Sequence, residues 1–427
     1  MTDSTYQTID TSALRGRVEA DRIAPSLYYD PALFEAELER IFYKTWIWVA
    51  HESELPNPGD FRTTTIGRQP VIVVRDKSGS INVLQNRCRH RGATVCEQHK
   101  GNAKGFTCPY HSWSYGLDGA LRALPYGDGY EGVIDKLELP LASLRVGVYQ
   151  GLIFASFNQD VEPLEDFLGG AKPWIDLFMK QGAGYPVKAN GEHKFKFKGN
   201  WKIQLENTTD LYHFPVVHKS WMKSIDDETA AAITSFMTSD DAFCRSLGNG
   251  HSLAVLVPEL VDLDKDDGAP LPERFAALVE SLAKDHSSEE VRRIVRSLMG
   301  VGFNLNLFPN LALSMAFFRV LRPISAEETE IRHIALAMDG GPEEANRVRL
   351  RIHEHFQGPF GFGSPDDAEA WERVQRGSHA GPDIPILVNR GLNREHTAPN
   401  GEKTAHATDE TGMREAYAQW RLMMEQA

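Results

Sequence analysis

An α+β fold with a small antiparallel sheet and a second, larger sheet is predicted by three features of the 427-residue sequence. The hydrophobic period changes from helical to short strands after Pro56-Asn-Pro-Gly59. A helix-rich segment with prolines at 163 and 173 follows, and strand-like runs return from Leu253 onward.

Residues 1 to about 29 read as irregular. Asp30-Pro31 then opens a helix with a capping carboxylate and a proline at its first position, and Leu33, Phe34, Leu38, Ile41 and Phe42 form its apolar stripe. Phe61 to Thr65, Val71 to Arg75 and Ile81 to Gln85, parted by Gly67 and Lys77-Ser-Gly79, read as a small sheet that Leu144 to Tyr149 and Leu152 to Phe157 complete. Further on, Lys194-Phe-Lys-Phe-Lys198 alternates as a half-buried strand does. Leu253 to Val257, Leu305 to Leu313, Ala316 to Leu321 and Ile331 to Met338 read as a second, larger sheet. Helices are expected at 271–284, 288–299, 342–356, 365–376 and 409–424. The domain boundaries expected from this are 1–45 for an N-terminal arm and helix, 46–158 for the small sheet domain and 159–427 for the larger one.

A net charge of -13 argues against a nucleic-acid partner, which needs clustered Lys and Arg. No apolar run is long enough to span a membrane, and Met1-Thr-Asp-Ser-Thr-Tyr-Gln lacks the pattern of a secretory signal, so a cytoplasmic location is expected. Four cysteines in such a chain point to metal or redox chemistry over a disulfide frame.

The strongest signal is Cys88-Arg-His90, then seventeen residues, then Cys108-Pro-Tyr-His111. Zinc sites of two Cys and two His usually separate the cysteine pair from the histidine pair. Here each half supplies one of each, which suits a Rieske [2Fe-2S] cluster with two cysteines on one iron and two histidines on the other. Gly92, Gly105, Pro109 and Gly116 permit the two loops to approach closely, and a structural zinc is the alternative. Cys96 and Cys244 lack partners at ligand spacing and read as packed or partly exposed thiols.

A second cluster lies in Gly199 to His218. On one helix Glu206, Asp210 and His213 share a face at i, i+4 and i+7, and a kink at Pro215 would swing His218 back toward His213. Two imidazoles and a carboxylate suit a non-haem Fe(II) site. An amphipathic helix with solvated polar residues is the competing reading.

These motifs, with Glu410-Thr-Gly-Met-Arg414 and the helix through Tyr417 and Trp420, resemble the large (alpha) subunit of Rieske non-haem iron aromatic-ring-hydroxylating oxygenases over most of the chain. The resemblance implies an N-terminal Rieske domain and a helix-grip (START-like) catalytic domain. It implies that Cys88, His90, Cys108 and His111 hold the cluster, and that His213 and His218 hold mononuclear Fe(II). Asp210 would bridge across a subunit boundary to a cluster histidine of the next chain, and Asn207 would line the iron pocket. The third iron ligand is expected in Ser364-Pro-Asp-Asp, where the family's paired-aspartate helix start favours Asp367 over Asp366. Acidic residues are also favoured there simply by the helix dipole.

Several other matches carry no chemistry. Gly127-Asp-Gly-Tyr-Glu-Gly132 fits a dinucleotide fingerprint but has neither the strand before it nor the helix after it, and reads as a turn. Asn207-Thr-Thr fits a glycosylation acceptor inside the metal motif. His51, His99, His251 and His333 read as surface or packed residues, and Asp262 to Asp267 as a solvated loop.

If both metal sites exist, electrons enter at the cluster and cross to the iron, where O2 is reduced beside an aromatic substrate, an aromatic acid among the options. No nicotinamide or flavin site is visible, so a separate NAD(P)H-dependent reductase, with or without a ferredoxin, would supply them. An alpha3 trimer, with or without a small beta subunit (alpha3beta3), is the assembly the resemblance implies. Phe303, Leu305, Leu307, Phe308 and Phe317 read as core first and as pocket lining second. Two other classes compete: a Rieske electron-transfer protein with a ligand-binding domain, and a zinc-stabilised binding module.

Overall fold

The computed structural model describes residues 14, 16–266 and 268–425. The first thirteen residues of the expected N-terminal arm, residue 15 and Asp267 of the acidic run therefore lie outside the described residues. The chain forms two compact units, one from Phe42 to Phe167 and one joining the residues up to Ile41 with those from Leu168 onward. The N-terminal helix thus groups with the large unit.

In the small unit a four-stranded antiparallel sheet runs in the order Ile81–Gln85, Gln69–Arg75, Asp60–Ile66, Lys100–Asn102. Beside it are two three-stranded sheets, Phe106–Thr107 with Ser114–Tyr115 and Leu121–Ala123, and Arg145–Tyr149 with Leu152–Ser156 and Ile47–His51. Ile72, Val74 and Leu84 from the first sheet, Phe106 and Tyr115 from the second, and Trp113 from the loop between its first two strands share one core, into which Cys88 and Cys108 are packed.

The large unit is built on nine antiparallel strands, in the order Val187–Phe197, Glu328–Met338, Phe317–Ser325, Leu311–Ser314, Phe303–Leu307, His251–Val255, Phe243–Gly248, Lys403–His406, His396–Thr397. The helix Trp201–Thr209 lies against one face, tied by Asn304 Nδ2 to the Thr208 carbonyl at 3.0 Å and by Asn306 Nδ2 to the Leu205 carbonyl at 2.7 Å. Thr411–Glu425 packs on the strands His251–Val255 and Phe243–Gly248, giving the helix-grip arrangement. Trp201–Thr209 is buried almost all round, which explains its weak amphipathicity.

Most elements form where the period places them, with one correction. The single strand expected from Leu305 to Leu313 is two, Phe303–Leu307 and Leu311–Ser314, because Pro309 has no N–H to continue a ladder. Phe303 and Leu305 alternate with Asn304 and Asn306, so they point away from the gripped helix; Phe303 meets Trp174 and Phe178 instead, at ring separations of 5.4 and 6.4 Å. These residues are core, and of the expected aromatic set Phe317 shares the inner face, its ring 5.2 Å from that of His333. The Asp30 cap forms as expected, its Oδ1 accepting from Ala32 N and Leu33 N at 2.9 and 3.4 Å.

Buried charges in the large unit are mostly matched. Glu37 of the N-terminal helix receives Lys202 Nζ at 2.5 Å and the indole N–H groups of Trp201 and Trp420, each at 2.7 Å. Every oxygen of that carboxylate is thereby occupied, as a buried ion pair requires.

Candidate metal centres

Two loops with the same backbone pattern carry Cys88 and Cys108. The Cys88 N–H donates to the Ala93 carbonyl at 2.8 Å and its carbonyl accepts from Gly92 N at 3.0 Å; the Cys108 N–H donates to the Trp113 carbonyl at 2.8 Å and its carbonyl accepts from Ser112 N at 3.0 Å. The fourth residue after each cysteine is left-handed, with φ of 76° at Gly92 and 58° at Ser112. Glycine adopts that conformation freely, whereas serine is held in it by the loop. At Gly105 a Cβ would sit 2.7 Å from the Tyr115 carbonyl, a close approach within the Cys108 hairpin itself and not between the two loops.

Both thiols are buried and both imidazoles are half-buried, with His90 Nδ1 and His111 Nδ1 facing each other at 3.1 Å. Trp113 stacks on His90 at 5.0 Å and 6°, while Tyr110 lies 3.9 Å from His111, so each ring has an aromatic neighbour. Tyr115 Oη lies 3.3 Å from Cys88 Sγ and accepts from Arg89 N at 3.0 Å. Two inward thiols and two convergent Nδ1 atoms fit a [2Fe-2S] cluster with mixed ligation.

The iron-type donors are assembled differently from the sequence expectation. The Trp201–Thr209 helix stops before Asp210, whose backbone is extended at φ -83° and ψ 101°. Its Oδ1 accepts from Tyr212 N and His213 N at 2.8 and 3.2 Å, a local bond that competes with continuing the helix. Glu206, Asp210 and His213 therefore do not share one helical face. Pro215 does not kink a long helix either; it begins a four-residue one, Phe214–Val217, which brings the His213 and His218 rings to 5.4 Å.

His213 Nε2 and His218 Nε2 lie 3.4 and 3.2 Å from one oxygen of Asp367. Asn207 Nδ2 stands 3.1 Å from His213 Nε2 and 3.3 Å from the same carboxylate oxygen. Burial opposes charge on His213, yet the carboxylates of Asp210 and Asp367 outweigh it and raise the imidazole to about 9. Burial opposes ionisation of Asp367 as well, but His213 and His218 hold it well below the usual carboxylate range. A pocket that so favours positive charge among two imidazoles and a carboxylate fits a divalent first-row metal. The rings of Phe214 and Phe356, each 5.0 Å from His218, shield the donors.

Asp210 Oδ2 lies 3.5 Å from His213 Nδ1, and the side chain is 26% exposed. Asp366 is partly exposed and accepts from Ser220 Oγ at 3.3 Å. Ser364 lies inside the helix Gly363–Ser378, and its hydroxyl donates to Gln357 Oε1 at 2.8 Å. Glu206 is turned away from these donors, its Oε1 accepting from Tyr28 Oη at 2.7 Å and from Tyr417 Oη. Sequence reasoning missed Glu37, Tyr115, Arg319 and Gln357. Their partners are distant along the chain, and no local spacing marks them.

Residues 45–138 match the family model of the Rieske [2Fe-2S] domain, and residues 186–426 match that of the ring hydroxylating alpha subunit (catalytic domain). The chain belongs to the ring-hydroxylating alpha subunits. As a ring-hydroxylating alpha subunit it is an oxidoreductase carrying a Rieske [2Fe-2S] cluster and a mononuclear non-haem iron. The zinc module is thereby set aside, and the catalytic-domain match, with the His213, His218 and Asp367 set, sets aside a pure electron carrier. Among its relatives, this alpha subunit is 35% identical to the anthranilate 1,2-dioxygenase large subunit of Acinetobacter baylyi, over 83% of this chain and 77% of that one. It is 33% identical to the toluate 1,2-dioxygenase subunit alpha of Pseudomonas putida, over 84% and 80%. A solved structure of naphthalene 1,2-dioxygenase with indole in its active site superposes with a TM-score of 0.79 at 29% identity, covering 96% of this chain and 93% of that chain.

Proposed function

We propose that this alpha subunit is the oxygenase component that hydroxylates an aromatic acid in the cytoplasm, with Cys88, His90, Cys108 and His111 holding the cluster and His213, His218 and Asp367 holding the iron. The observation that carries the assignment is the convergence of two Nε2 atoms on one Asp367 oxygen at 3.4 and 3.2 Å. Anthranilate and toluate, named in the two relatives above, are ring carboxylates, which supports an acid over a hydrocarbon. Among the described residues no helix is long and apolar enough to cross a membrane.

When bound, the cluster supplies single electrons and the iron supplies the site of O2 chemistry. The chain's own residues position and shield. Asp210 stands 3.5 Å from the outer nitrogen of His213, and the amide of Asn207 lines the pocket between His213 and Asp367. Phe214 and Phe356 keep water from His218. The partial exposure of Asp210 supports a second role at the boundary with a neighbouring copy, passing electrons from that copy's cluster inside an alpha3 or alpha3beta3 ring. The relatives are named "large subunit" and "subunit alpha", which supports a smaller partner subunit, and a ferredoxin or NAD(P)H-dependent reductase would deliver the electrons. For the domains, we place the Rieske region at 46–158 and the catalytic region at 159–427, the N-terminal helix packing with the latter.

Iron and acid-labile sulfide analysis with electron paramagnetic resonance of the dithionite-reduced protein tests the ligand assignment. About three irons and two sulfides per chain are expected, with a mixed-ligand cluster signal. A colourless protein with one zinc per chain would refute it.

A further inference from the structure

Arg319 lies on the strand Phe317–Ser325, paired in register with Ala312 on one side and His333 on the other. Its guanidinium is buried beside the Trp201–Thr209 helix. Nε donates to His333 Nε2 at 2.9 Å, Nη1 to Thr208 Oγ1 at 3.2 Å and Nη2 to Gln357 Oε1 at 3.4 Å. None of these acceptors is charged: one is a hydroxyl, one an amide, and burial drives the His333 imidazole well below its ordinary value. Among the described residues no carboxylate comes within ion-pair distance of Arg319. A guanidinium carries five N–H donors, so one on each Nη is left without a protein acceptor.

Burying a cation without a counter-ion is strongly unfavourable. Elsewhere the large unit avoids it, as with Lys202 on Glu37 at 2.5 Å and Arg332 on Glu192 at 2.6 Å. Arg349 is also without a carboxylate, but it is directed at the Gln181 carbonyl and amide oxygens. Arg319 is directed at residues flanking the iron donors. Thr208 follows Asn207, Gln357 follows the Phe356 that covers His218, and Asp367 is the acid whose charge Arg319 feels. The inner face around it is polar, with Ser314 Oγ donating to Asn304 Oδ1 at 2.5 Å on the neighbouring strands.

We propose that Arg319 is the anchor for the substrate's carboxylate, receiving both oxygens on its two free Nη N–H groups. The inference rests on the reading that the substrate is an aromatic acid. A planar fork matches a carboxylate with two parallel hydrogen bonds, which an ammonium does not reproduce. Gln357, itself held by Ser364 Oγ at 2.8 Å, fixes the orientation of the fork. The competing basic residue is Arg390, whose guanidinium lies over Tyr212 at 4.0 Å beside a cleft of about 490 Å³. Arg390 already has an acid 3.8 Å away in Asp409 and donates to the Thr408 carbonyl at 2.7 Å.

The test is equilibrium binding to the holoprotein of benzoate, 2-aminobenzoate and 2-hydroxybenzoate, each against its primary amide. The wild type should bind at least one acid about tenfold or more tightly than its amide. Arg319→Met should lower that acid's affinity by about tenfold to a hundredfold and leave the amide within about twofold. Arg390→Met should change neither. Iron content and cluster absorbance report folding, and if Arg319→Met loses either, Arg319→Lys decides, because it keeps the charge and should still lose most of the preference for acid. Acid preference that survives both Arg319 variants, or that Arg390→Met removes, overturns the anchor alone. If no acid binds at millimolar concentration, whether or not naphthalene or biphenyl does, the aromatic-acid reading falls and the anchor falls with it.

Discussion

The Cys88 and Cys108 loops fix four donors by backbone hydrogen bonds closed within six residues, whereas His213, His218 and Asp367 are brought together from segments about 150 residues apart by side-chain packing. In the loops, geometry is stored in the turn itself, and Ser112 is held left-handed to keep it. At the iron site it is stored in neighbours: the Asp210 cap, the short Phe214–Val217 helix and the rings around His218. The first kind of site should tolerate change around it, and the second should transmit it.

The largest effect should come from the distributed site. His213→Ala, His218→Ala or Asp367→Ala should each cost at least about a hundredfold in oxygenation, while the visible absorption of the cluster stays unchanged. Loss of cluster absorbance in any of them would mean that the two sites are not independently built.

Asp210→Asn comes next. It is nearly isosteric and keeps an oxygen for the Tyr212 and His213 N–H groups. Both metals should stay bound and the cluster should still be reducible, yet in rapid mixing with O2 and substrate its reoxidation should slow by about tenfold or more. Reoxidation at the wild-type rate would leave Asp210 a merely local partner of His213.

Glu206 sharpens the comparison through stability. Burial raises its carboxyl, against the hydrogen bonds of Tyr417 and Tyr28 and the charge of Lys202, to about 7 from 4.5. Between those values the folded state holds a proton that the unfolded state releases, so this group makes stability fall as pH rises from 4.5 to 7. Glu206→Gln should remove that dependence and gain up to about 3 kcal/mol above pH 7. Denaturant melts of both proteins at pH 5 and pH 8 check the sign; an equal difference at the two values would contradict it.

In the loops the expected change is smaller. Tyr115→Phe deletes the hydroxyl beside Cys88 Sγ at 3.3 Å, and a bond of about 1 kcal/mol corresponds to roughly 40 mV downward in cluster potential. Spectroelectrochemistry reads this directly. Smallest of all, Asp366→Ala should cost a few tenths to about 1 kcal/mol and leave iron content unchanged.

The same contrast governs what was legible in the sequence. The cluster loops could be read because their spacing is their geometry. His213 and His218 could be named, but not the reason they converge: the i, i+4 rule assumed a helix running through Asp210, and a carboxylate that bonds the N–H groups two and three residues on ended it. Asp367 was reached through its motif, since a Ser-Pro-Asp-Asp helix start has an ordinary explanation in the helix dipole. The strand break at Pro309 was signalled by the proline itself. Arg319 was beyond reach because inward or outward orientation on a nine-stranded sheet depends on register, which non-local pairing sets.

The buried carboxylate of Glu37 also has a consequence for biosynthesis. Its partner Trp420 lies 383 residues later, and the whole small unit is inserted between the two parts of the large one. At about 5 to 20 residues per second, a ribosome needs roughly 20 to 80 s to span that interval. The inserted unit can complete itself meanwhile, and Lys202 can already meet Glu37. The helix that carries Glu37 must nevertheless wait, its acid without the Trp420 indole, until Thr411–Glu425 has been made. The helix Pro31–Glu37 is thus made early and secured late.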